Sequence, residues 1–238
     1  MQVVILCGGK ATRLYPLTKK NPKSMVLIKG KPFLEYQIEL LRKRGFKSFL
    51  LCIGKGGTQI KKFFKDGKKW GIQIKYSEEK KKLLGTGGAI KNAERLLEKE
   101  FLVIYGDSYV DFDFVKAIKF FHQNNKMGLM TVYKNNNKIE PSNVEIRGKH
   151  VIAYDKKNPD SKMKYIDYGV SIFRKEVLKL VPSKKFCDLS YLHKELIKQQ
   201  QLLAYLVSKR YYQIGTLEGL EEFKQYAQKF LTKSKIKC

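Results

Sequence analysis

The first half of the chain alternates between short apolar runs and stretches with helical periodicity. Strands are predicted at residues 3–6, 48–53, 72–76 and 101–105, and helices at residues 33–44, 58–65 and 88–97. Such alternation is typical of stacked strand-helix units, in which helices cover a sheet of mainly parallel strands. The pattern therefore predicts an α/β fold with a mixed, mostly parallel central sheet flanked by helices.

After about residue 125 the strands become shorter. They are predicted at residues 129–133, 143–146, 151–154 and 165–173, and helices return at residues 176–181, 190–199 and 217–231. No linker rich in glycine or proline divides the 238 residues, a length that suits one sizeable core. We expect a single domain over residues 1–238, made of a first half (1–125), a second half (126–232) and a basic tail (233–238).

The net charge of +27 comes mainly from lysine spread along the whole chain. Phosphate-binding surfaces of nucleic-acid-binding proteins favour clustered arginine, because its planar guanidinium binds phosphate with two hydrogen bonds. The diffuse lysine therefore favours a solvated surface, and we expect no nucleic-acid partner. Strongly salt-dependent binding to nucleic acid is the test of that alternative.

Several features predict a cytoplasmic protein. Cys7, Cys52, Cys187 and Cys238 are scattered and form no CxxC pair, which fits neither a zinc site nor a disulfide scaffold. The chain has no apolar run long enough to insert into a membrane, and its N-terminus lacks the basic leader of a signal peptide.

Paired glycines follow the first predicted strand. Gly8 and Gly9 come shortly after the strand predicted at residues 3–6, and Arg13 and Lys23 follow in the same loop. Glycine lets backbone N–H groups approach an anion, and the two cations can neutralise phosphate charge. Neither GxGxxG nor GxxxxGK[ST] is present, which argues against a dinucleotide oxidoreductase or a P-loop ATPase. The segment predicts a triphosphate site, with a plain tight turn as the alternative.

A second glycine cluster, at residues 84–89, precedes the helix predicted at 88–97. A loop without side chains can pass close to a base or sugar ring, and Glu78 or Glu79 just before it can accept hydrogen bonds from hydroxyl groups. An ordinary strand-helix connection with solvated acids is the alternative.

Asp107 follows the buried strand predicted at 101–105. In α/β sheets the carboxyl ends of the strands are where ligands bind, and a carboxylate beside phosphates is a natural magnesium ligand. Asp113 is instead predicted to cap a helix that continues through His122. Asp107 is therefore the predicted metal ligand.

In chain order these segments resemble the sugar-1-phosphate nucleotidylyltransferase family. The family pattern GGxGTRLxPLTxxxPKxM, then KPxxEY, LGTxGA and GD, is similar to residues 8–25, 31–36, 84–89 and 106–107. The resemblance implies a Rossmann-like nucleotidyltransferase fold and a magnesium-dependent transferase in nucleotide-sugar biosynthesis for cell-surface polysaccharides. Its substrates would be a nucleoside triphosphate, bound by residues 1–125, and a sugar 1-phosphate, bound by residues 126–232.

The resemblance also implies roles for individual residues. Arg13 and Lys23 would hold the triphosphate and the reacting phosphate, and Lys156, in a Glu-Lys-Pro-like element, would meet the sugar phosphate. The implied substrate contacts are Leu6, Gly8, Gly9, Thr12, Glu78, Gly87, Gly88 and Asp167. Asp107 and Asp167 would bind magnesium.

Three positions depart from the family pattern. Ala11 replaces a loop glycine, and Gln213 stands where the family has a second metal-binding carboxylate. Asp167 occupies a position that is usually a neutral amide, so its charge can compensate for Gln213.

Several alternatives stay open. The protein could be a non-catalytic sensor of nucleotide sugars, or a cytidylyltransferase acting on a phosphate such as phosphocholine, which residues 33–39 resemble. Within the sugar branch, GTP or UTP is favoured, with a heptose, mannose or N-acetylmuramate 1-phosphate as acceptor. Homo-oligomer formation is open.

His122, His150 and His193 adjoin no glycine loop or carboxylate in the sequence, so no catalytic histidine is expected.

Overall fold

The structure is a computed structural model that describes residues 1–9, 12–15, 17–19, 21–79, 82–138, 140–183 and 185–234. The strands are β1 (Gln2–Leu6), β2 (Leu27–Ile28), β3 (Lys31–Pro32), β4 (Ser48–Ile53), β5 (Gln73–Glu78), β6 (Glu100–Tyr105), β7 (Ser108–Tyr109), β8 (Gly128–Lys134), β9 (Val144–Arg147), β10 (His150–Tyr154), β11 (Tyr165–Arg174), β12 (Leu202–Val207) and β13 (Tyr212–Gln213). The α-helices are α1 (Phe33–Lys43), α2 (Gly57–Phe64), α3 (Gly85–Asn92), α4 (Phe114–Asn124), α5 (Leu189–Lys198) and α6 (Leu217–Ser234).

Nine strands form the central sheet, in the order β5-β4-β1-β6-β11-β8-β12-β10-β9. Strands β5, β4, β1 and β6 run parallel, as the alternating pattern predicts. Strand β11 is antiparallel to both β6 and β8, and β12 is parallel to β8. The sheet is therefore mixed, with its parallel part concentrated in the first half of the chain, and β11 joins the two halves.

Strand β1 shows how the sheet is buried on both faces. Val3 and Ile5 pack in the layer that contains α1 and α4, whereas Val4 packs in the layer that contains α3 and α5. Alternate residues of a strand point to opposite faces, so a continuous apolar run is required when both faces are covered. Full burial of each such side chain stabilises the fold by about 1.5–3 kcal/mol.

Helix α1 follows directly from its sequence. Pro32 precedes the first helical residue, where its fixed φ and missing N–H are tolerated, and Gly45, at φ +92°, ends the segment. The buried positions recur with helical spacing on one face, at Phe33, Leu34, Gln37, Ile38 and Leu41. This face fixes the helix against the sheet.

One further prediction concerns a local element. Asp113 caps α4, because its Oδ1 accepts a hydrogen bond from the Lys116 N–H at 3.0 Å, as predicted. Strand β12 was not predicted, nor was the small β7–β13 sheet.

Within the described residues, no helix combines the length and apolar character needed to cross a membrane. The last four residues of the predicted basic tail, 235–238, lie outside the described residues.

Candidate active site

The first glycine loop and Asp107 leave the sheet at the same edge. Leu6 and Tyr105, the last residues of β1 and β6, are register partners, and the Gly106 N–H donates to the Leu6 carbonyl at 3.0 Å. A β-carbon at Gly106 would lie 2.7 Å from that carbonyl oxygen, so only glycine allows this approach. Gly8 and Asp107 therefore both follow the carboxyl ends of adjacent parallel strands.

Lys23 reaches Asp107 directly. Its Nζ lies 2.8 Å from Asp107 Oδ2, and the two side chains are 19% and 29% exposed. The lysine begins a short 3₁₀ turn at Lys23–Met25, and Asp107 lies between β6 and β7. The structure thus brings together a cation and a carboxylate that the sequence predicted at one site.

Gln213 lies beside Asp107 as well. Strand β13 pairs with β7 so that Gln213 is opposite Ser108, and the Ile214 N–H donates to the Asp107 carbonyl at 2.9 Å. The segment in which the family has a second metal-binding carboxylate is therefore next to Asp107, and its departure to glutamine changes the charge at this place.

The remainder of the first loop is described in part. Arg13 is exposed in a short 3₁₀ turn at Thr12–Leu14, so its guanidinium is available to an anion. Ala11 and the side chain of Thr12 lie outside the described residues. The predicted roles of Arg13 and Thr12 remain predictions.

Glu78 and Glu79 have different surroundings. The Glu78 carboxylate pairs with Lys61 of α2, with Nζ and Oε2 2.6 Å apart. Glu79 Oε1 accepts a hydrogen bond from the Leu84 N–H at 2.6 Å, and a β-carbon at Gly8 would lie 2.9 Å from Glu79 Oε2. Burial raises the Glu79 pKa. The acid that adjoins the first glycine loop is thus Glu79, and the predicted substrate contact of Glu78 remains a prediction.

The second glycine cluster packs against another part of the chain. Gly85 starts α3 at φ +77°, and β-carbons at Gly85 and Gly87 would lie 2.6 Å from the Cys187 carbonyl oxygen and 3.0 Å from that of Asp188. The Gly88 N–H donates to the Cys187 carbonyl at 2.9 Å. These glycines are explained by packing on residues 185–188, and the nucleotide contacts of Gly87 and Gly88 remain predictions.

Lys156 and Asp167 form an ion pair in the second half of the chain. Lys156 Nζ lies 3.0 Å from Asp167 Oδ2, and it stands 5.3 Å from the ring centre of Tyr105. Burial disfavours both charges, yet their mutual attraction prevails: the pKa of Asp167 is lowered and that of Lys156 is raised. Lys156 is therefore cationic, and it lies beside Tyr105, which precedes Asp107 by two residues in the chain.

A pocket of about 870 Å³ connects the two halves. Thr86 of the second glycine cluster, Tyr105 at the end of β6 and Lys156 all line it, as do Asp188 and Lys194. A second cavity, of about 850 Å³, lies at the opposite ends of the strands, where Met1 precedes β1 and Glu100 begins β6. Only the first contains residues from the predicted substrate-binding segments.

The donor set around Asp107 suits magnesium. This ion prefers oxygen ligands, takes one or two protein carboxylates and completes its shell with water and substrate phosphates. The Asp107 carboxylate is partly exposed and Gln213 adjoins it. The described residues contain no group of three or more histidine, cysteine or acidic side chains that could hold a metal. A magnesium ion here would therefore depend on Asp107, Gln213 and bound phosphates.

Comparison with known proteins places the chain in a family. A family model described as nucleotidyl transferase matches residues 2–229. The chain belongs to this nucleotidyl transferase family. The heptose 1-phosphate guanylyltransferase of Campylobacter jejuni is 47% identical over 116 residues, which are 49% of this chain and 52% of that protein. The catalytic subunit beta of Drosophila melanogaster mannose-1-phosphate guanylyltransferase is 30% identical over 217 residues, 85% of this chain and 56% of the relative.

Solved structures of the family share the fold. HddC from Yersinia pseudotuberculosis, complexed with GMP-PN, has a TM-score of 0.78 at 26% identity and covers 94% of this chain and 98% of its own. A putative glucose-1-phosphate thymidylyltransferase from Bacillus anthracis has a TM-score of 0.85 at 20% identity, with 95% of each chain covered. This nucleotidyl transferase chain spans about half the length of the two curated relatives above.

Two residues of the site were not found from the sequence. Tyr105 and Tyr154 flank the predicted cation Lys156, but they read as ordinary strand residues. Both end apolar strands, and a tyrosine at such a place has a hydroxyl that needs a polar partner. A tyrosine at the end of an apolar strand was therefore the signal in the sequence that could have pointed to these two residues.

Proposed function

We propose that this nucleotidyl transferase forms a nucleotide-activated sugar and pyrophosphate from a nucleoside triphosphate and a sugar 1-phosphate. One observation carries the proposal: Lys156, Tyr105 and Thr86 line a single pocket at the sheet edge where Lys23 pairs with Asp107. Cations from both halves of the chain thus lie near the carboxyl end of β6, and in this proposal the two phosphates meet between them.

The reaction needs alignment and charge neutralisation more than a catalytic base. An oxygen of the sugar phosphate attacks the α-phosphorus of the triphosphate, and the bond to the bridging oxygen of pyrophosphate breaks. The attacking oxygen is already anionic, so no side chain has to remove a proton. Because both reactants are anions, cationic side chains that hold them together lower the barrier.

The chain's own residues divide this task. In this proposal Lys156 binds the acceptor phosphate, while Lys23 and Arg13 bind the triphosphate and its α-phosphate. Asp107, with Gln213 beside it, would hold magnesium, which when bound supplies further positive charge to the phosphates. Cys7, beside Asp107, does not act as a thiolate in this proposal, because burial raises its pKa to about 12.

The relatives favour GTP with a heptose or mannose 1-phosphate. The two curated relatives are named as guanylyltransferases of those sugars, and GMP-PN accompanies a structural neighbour. UTP remains the second base to test, because a uridylyltransferase is 29% identical over 205 residues. A cytoplasmic role in supplying sugars for cell-surface polysaccharides is part of the same proposal.

A pyrophosphate-release assay tests the function directly. Each of the four nucleoside triphosphates is combined with heptose, mannose, glucose and N-acetylmuramate 1-phosphates and with phosphocholine. We expect release with GTP and a sugar 1-phosphate, and loss of release when EDTA removes magnesium. Nucleotide binding without release in any combination would favour the sensor, and release with CTP and phosphocholine alone would favour the cytidylyltransferase.

A further inference from the structure

Asp167 is enclosed by its hydrogen-bond donors. Its side chain is 1% exposed. Oδ2 accepts from the Tyr154 hydroxyl at 2.9 Å and lies 3.0 Å from Lys156 Nζ, while Oδ1 accepts from the Gly169 N–H at 2.9 Å. A buried carboxylate needs such a complete set of partners, because each unmet hydrogen bond leaves charge without solvation.

The ion pair has an inner and an outer member. Asp167 is buried, whereas the Lys156 side chain is 46% exposed and lines the pocket of about 870 Å³. The Lys156 ammonium lies 5.3 Å from the Tyr105 ring centre and 5.6 Å from that of Tyr154, so aromatic faces flank it. Asp167 therefore holds the lysine on its buried side, and this tether leaves the ammonium able to contact a ligand in the pocket.

Asp167 itself has little access to a ligand. A metal ion or a sugar hydroxyl could reach its oxygens only by displacing Lys156 or Tyr154, since the carboxylate is almost fully covered. The backbone is fixed too, because the Asp167 N–H donates to Asn143 Oδ1 at 3.0 Å. This geometry does not support the direct metal or sugar contact that the family resemblance implied for Asp167.

We propose that Asp167 is a positioning residue, which acts with Tyr154 to hold the Lys156 ammonium towards the acceptor phosphate. It contacts neither substrate nor magnesium. The inference rests on the proposed function for the identity of the acceptor, but the tether between Asp167 and Lys156 is independent of it. A flexible lysine side chain held in one orientation loses less freedom when it binds phosphate.

The first experiment separates positioning from metal binding. Asp167→Asn keeps the size of the side chain and removes its charge. We expect the KM for the sugar phosphate to rise about tenfold, as for loss of one coupled contact, with the KM for the triphosphate and the magnesium requirement unchanged. A higher magnesium requirement with an unchanged KM for the sugar phosphate would overturn the proposal.

A matched control and a second variant show whether a change in KM comes from misfolding rather than from loss of the ion pair. Glu100→Gln removes a partly exposed carboxylate that is paired with His122 at the far end of β6, and it should leave all three parameters unchanged. Tyr154→Phe removes only the hydroxyl that orients Asp167, and it should raise the KM for the sugar phosphate in the same direction by a smaller factor. An unchanged KM in Tyr154→Phe would contradict its part in the tether.

A double variant shows whether Asp167 acts through Lys156. In a Lys156→Gln background, Asp167→Asn should cause no further rise in the KM for the sugar phosphate, because the group that Asp167 positions is already absent. Additive effects of the two substitutions would mean that Asp167 contacts the substrate or the metal itself, and would overturn the proposal.

A chemical measurement needs no enzymatic activity. Lysine acylation is followed by mass spectrometry in buffers from about pH 7 to 10, with Lys194, which pairs with half-buried Asp155, as the internal reference. We expect Lys156 to be acylated several-fold faster in Asp167→Asn than in the wild type. Equal rates would contradict the tether. If no substrate pair released pyrophosphate but this rate changed, the proposed function would fail while the tether held.

Discussion

Lys23 and Asp107 are 84 residues apart in sequence, yet their charged atoms lie 2.8 Å from each other at the end of β6. Both side chains keep some exposure, so the pair is accessible to a ligand. We call the space beside this pair, at the carboxyl ends of β1 and β6, the cleft. A carboxylate that already has a cation beside it presents less negative charge to a triphosphate. The pair therefore repels an approaching phosphate less than a free carboxylate would.

Removal of either member should stop the reaction without unfolding the protein. We expect Lys23→Ala and Asp107→Ala each to lower turnover by about a hundredfold or more, because each removes a charge that stabilises the transition state. Exposed pairs contribute only about 0–1 kcal/mol to folding, so circular dichroism and the melting temperature should change little. Lys91→Ala is the control, because Lys91 is similarly buried and pairs with Glu94 outside the cleft. Full activity in both cleft variants would refute the assignment.

Gly9 offers a test of the triphosphate loop. A β-carbon at Gly9 would have no atom of the described residues within 4 Å, whereas one at Gly106 would meet the Leu6 carbonyl oxygen at 2.7 Å. We therefore expect Gly9→Ala to keep the wild-type melting temperature but bind nucleoside triphosphate at least several-fold more weakly, since the methyl group occupies space that the phosphates need. Gly106→Ala should lower the melting temperature. Wild-type nucleotide affinity in Gly9→Ala, measured by calorimetry, would count against a phosphate contact there.

The features predicted correctly from the sequence are those encoded locally. The apolar face of α1, the Asp113 cap and the strand that ends before Asp107 each depend on residues close together in the chain. Partnerships between distant segments could not be predicted. Glu78 and Glu79 are equivalent in sequence, and only the packing of β5 against α2 and β4 shows that Glu78 faces Lys61 and Glu79 faces Gly8.

The same limit applies to the second half of the chain. The family pattern pointed to Lys156 and Asp167 separately, but it did not show that they form one ion pair. The fit of the second glycine cluster onto residues 185–188 also depends on the position of α5, which is set by tertiary contacts. Local propensity carries no information on such contacts.

Gln213 provides a gain-of-function prediction. Strand β13 places this neutral amide opposite Ser108, next to Asp107. A carboxylate attracts a divalent cation more strongly than an amide oxygen does, so Gln213→Asp should lower the magnesium concentration needed for half-maximal pyrophosphate release several-fold. The measurement is a magnesium titration at saturating substrates. Gln213→Asn, which stays neutral, is the control, and an unchanged requirement in Gln213→Asp would place Gln213 outside the metal site.

His193 makes folding stability depend on pH. The ring is 1% exposed, its Nε2 lies 3.0 Å from Ser171 Oγ, and its Nδ1 has no hydrogen-bond partner among the described residues. Burial lowers its pKa from 6.5 to about 4, an effect that Lys156 increases and Asp167 opposes. The folded protein therefore keeps this histidine neutral where the unfolded chain would protonate it.

The sign of the effect follows from proton uptake. Above about pH 6.5 both states are neutral at this position and the histidine has no effect, but between pH 6.5 and 4 the unfolded state binds the extra proton, so stability falls as the pH falls. We expect this histidine to contribute about 2 kcal/mol to the loss in unfolding free energy between pH 7 and pH 5. His193→Gln keeps a polar partner for Ser171 but does not titrate, so its loss over that interval should be smaller by that amount. Urea unfolding at the two pH values measures the difference, and equal losses in the two proteins would show that His193 is not held neutral in the fold.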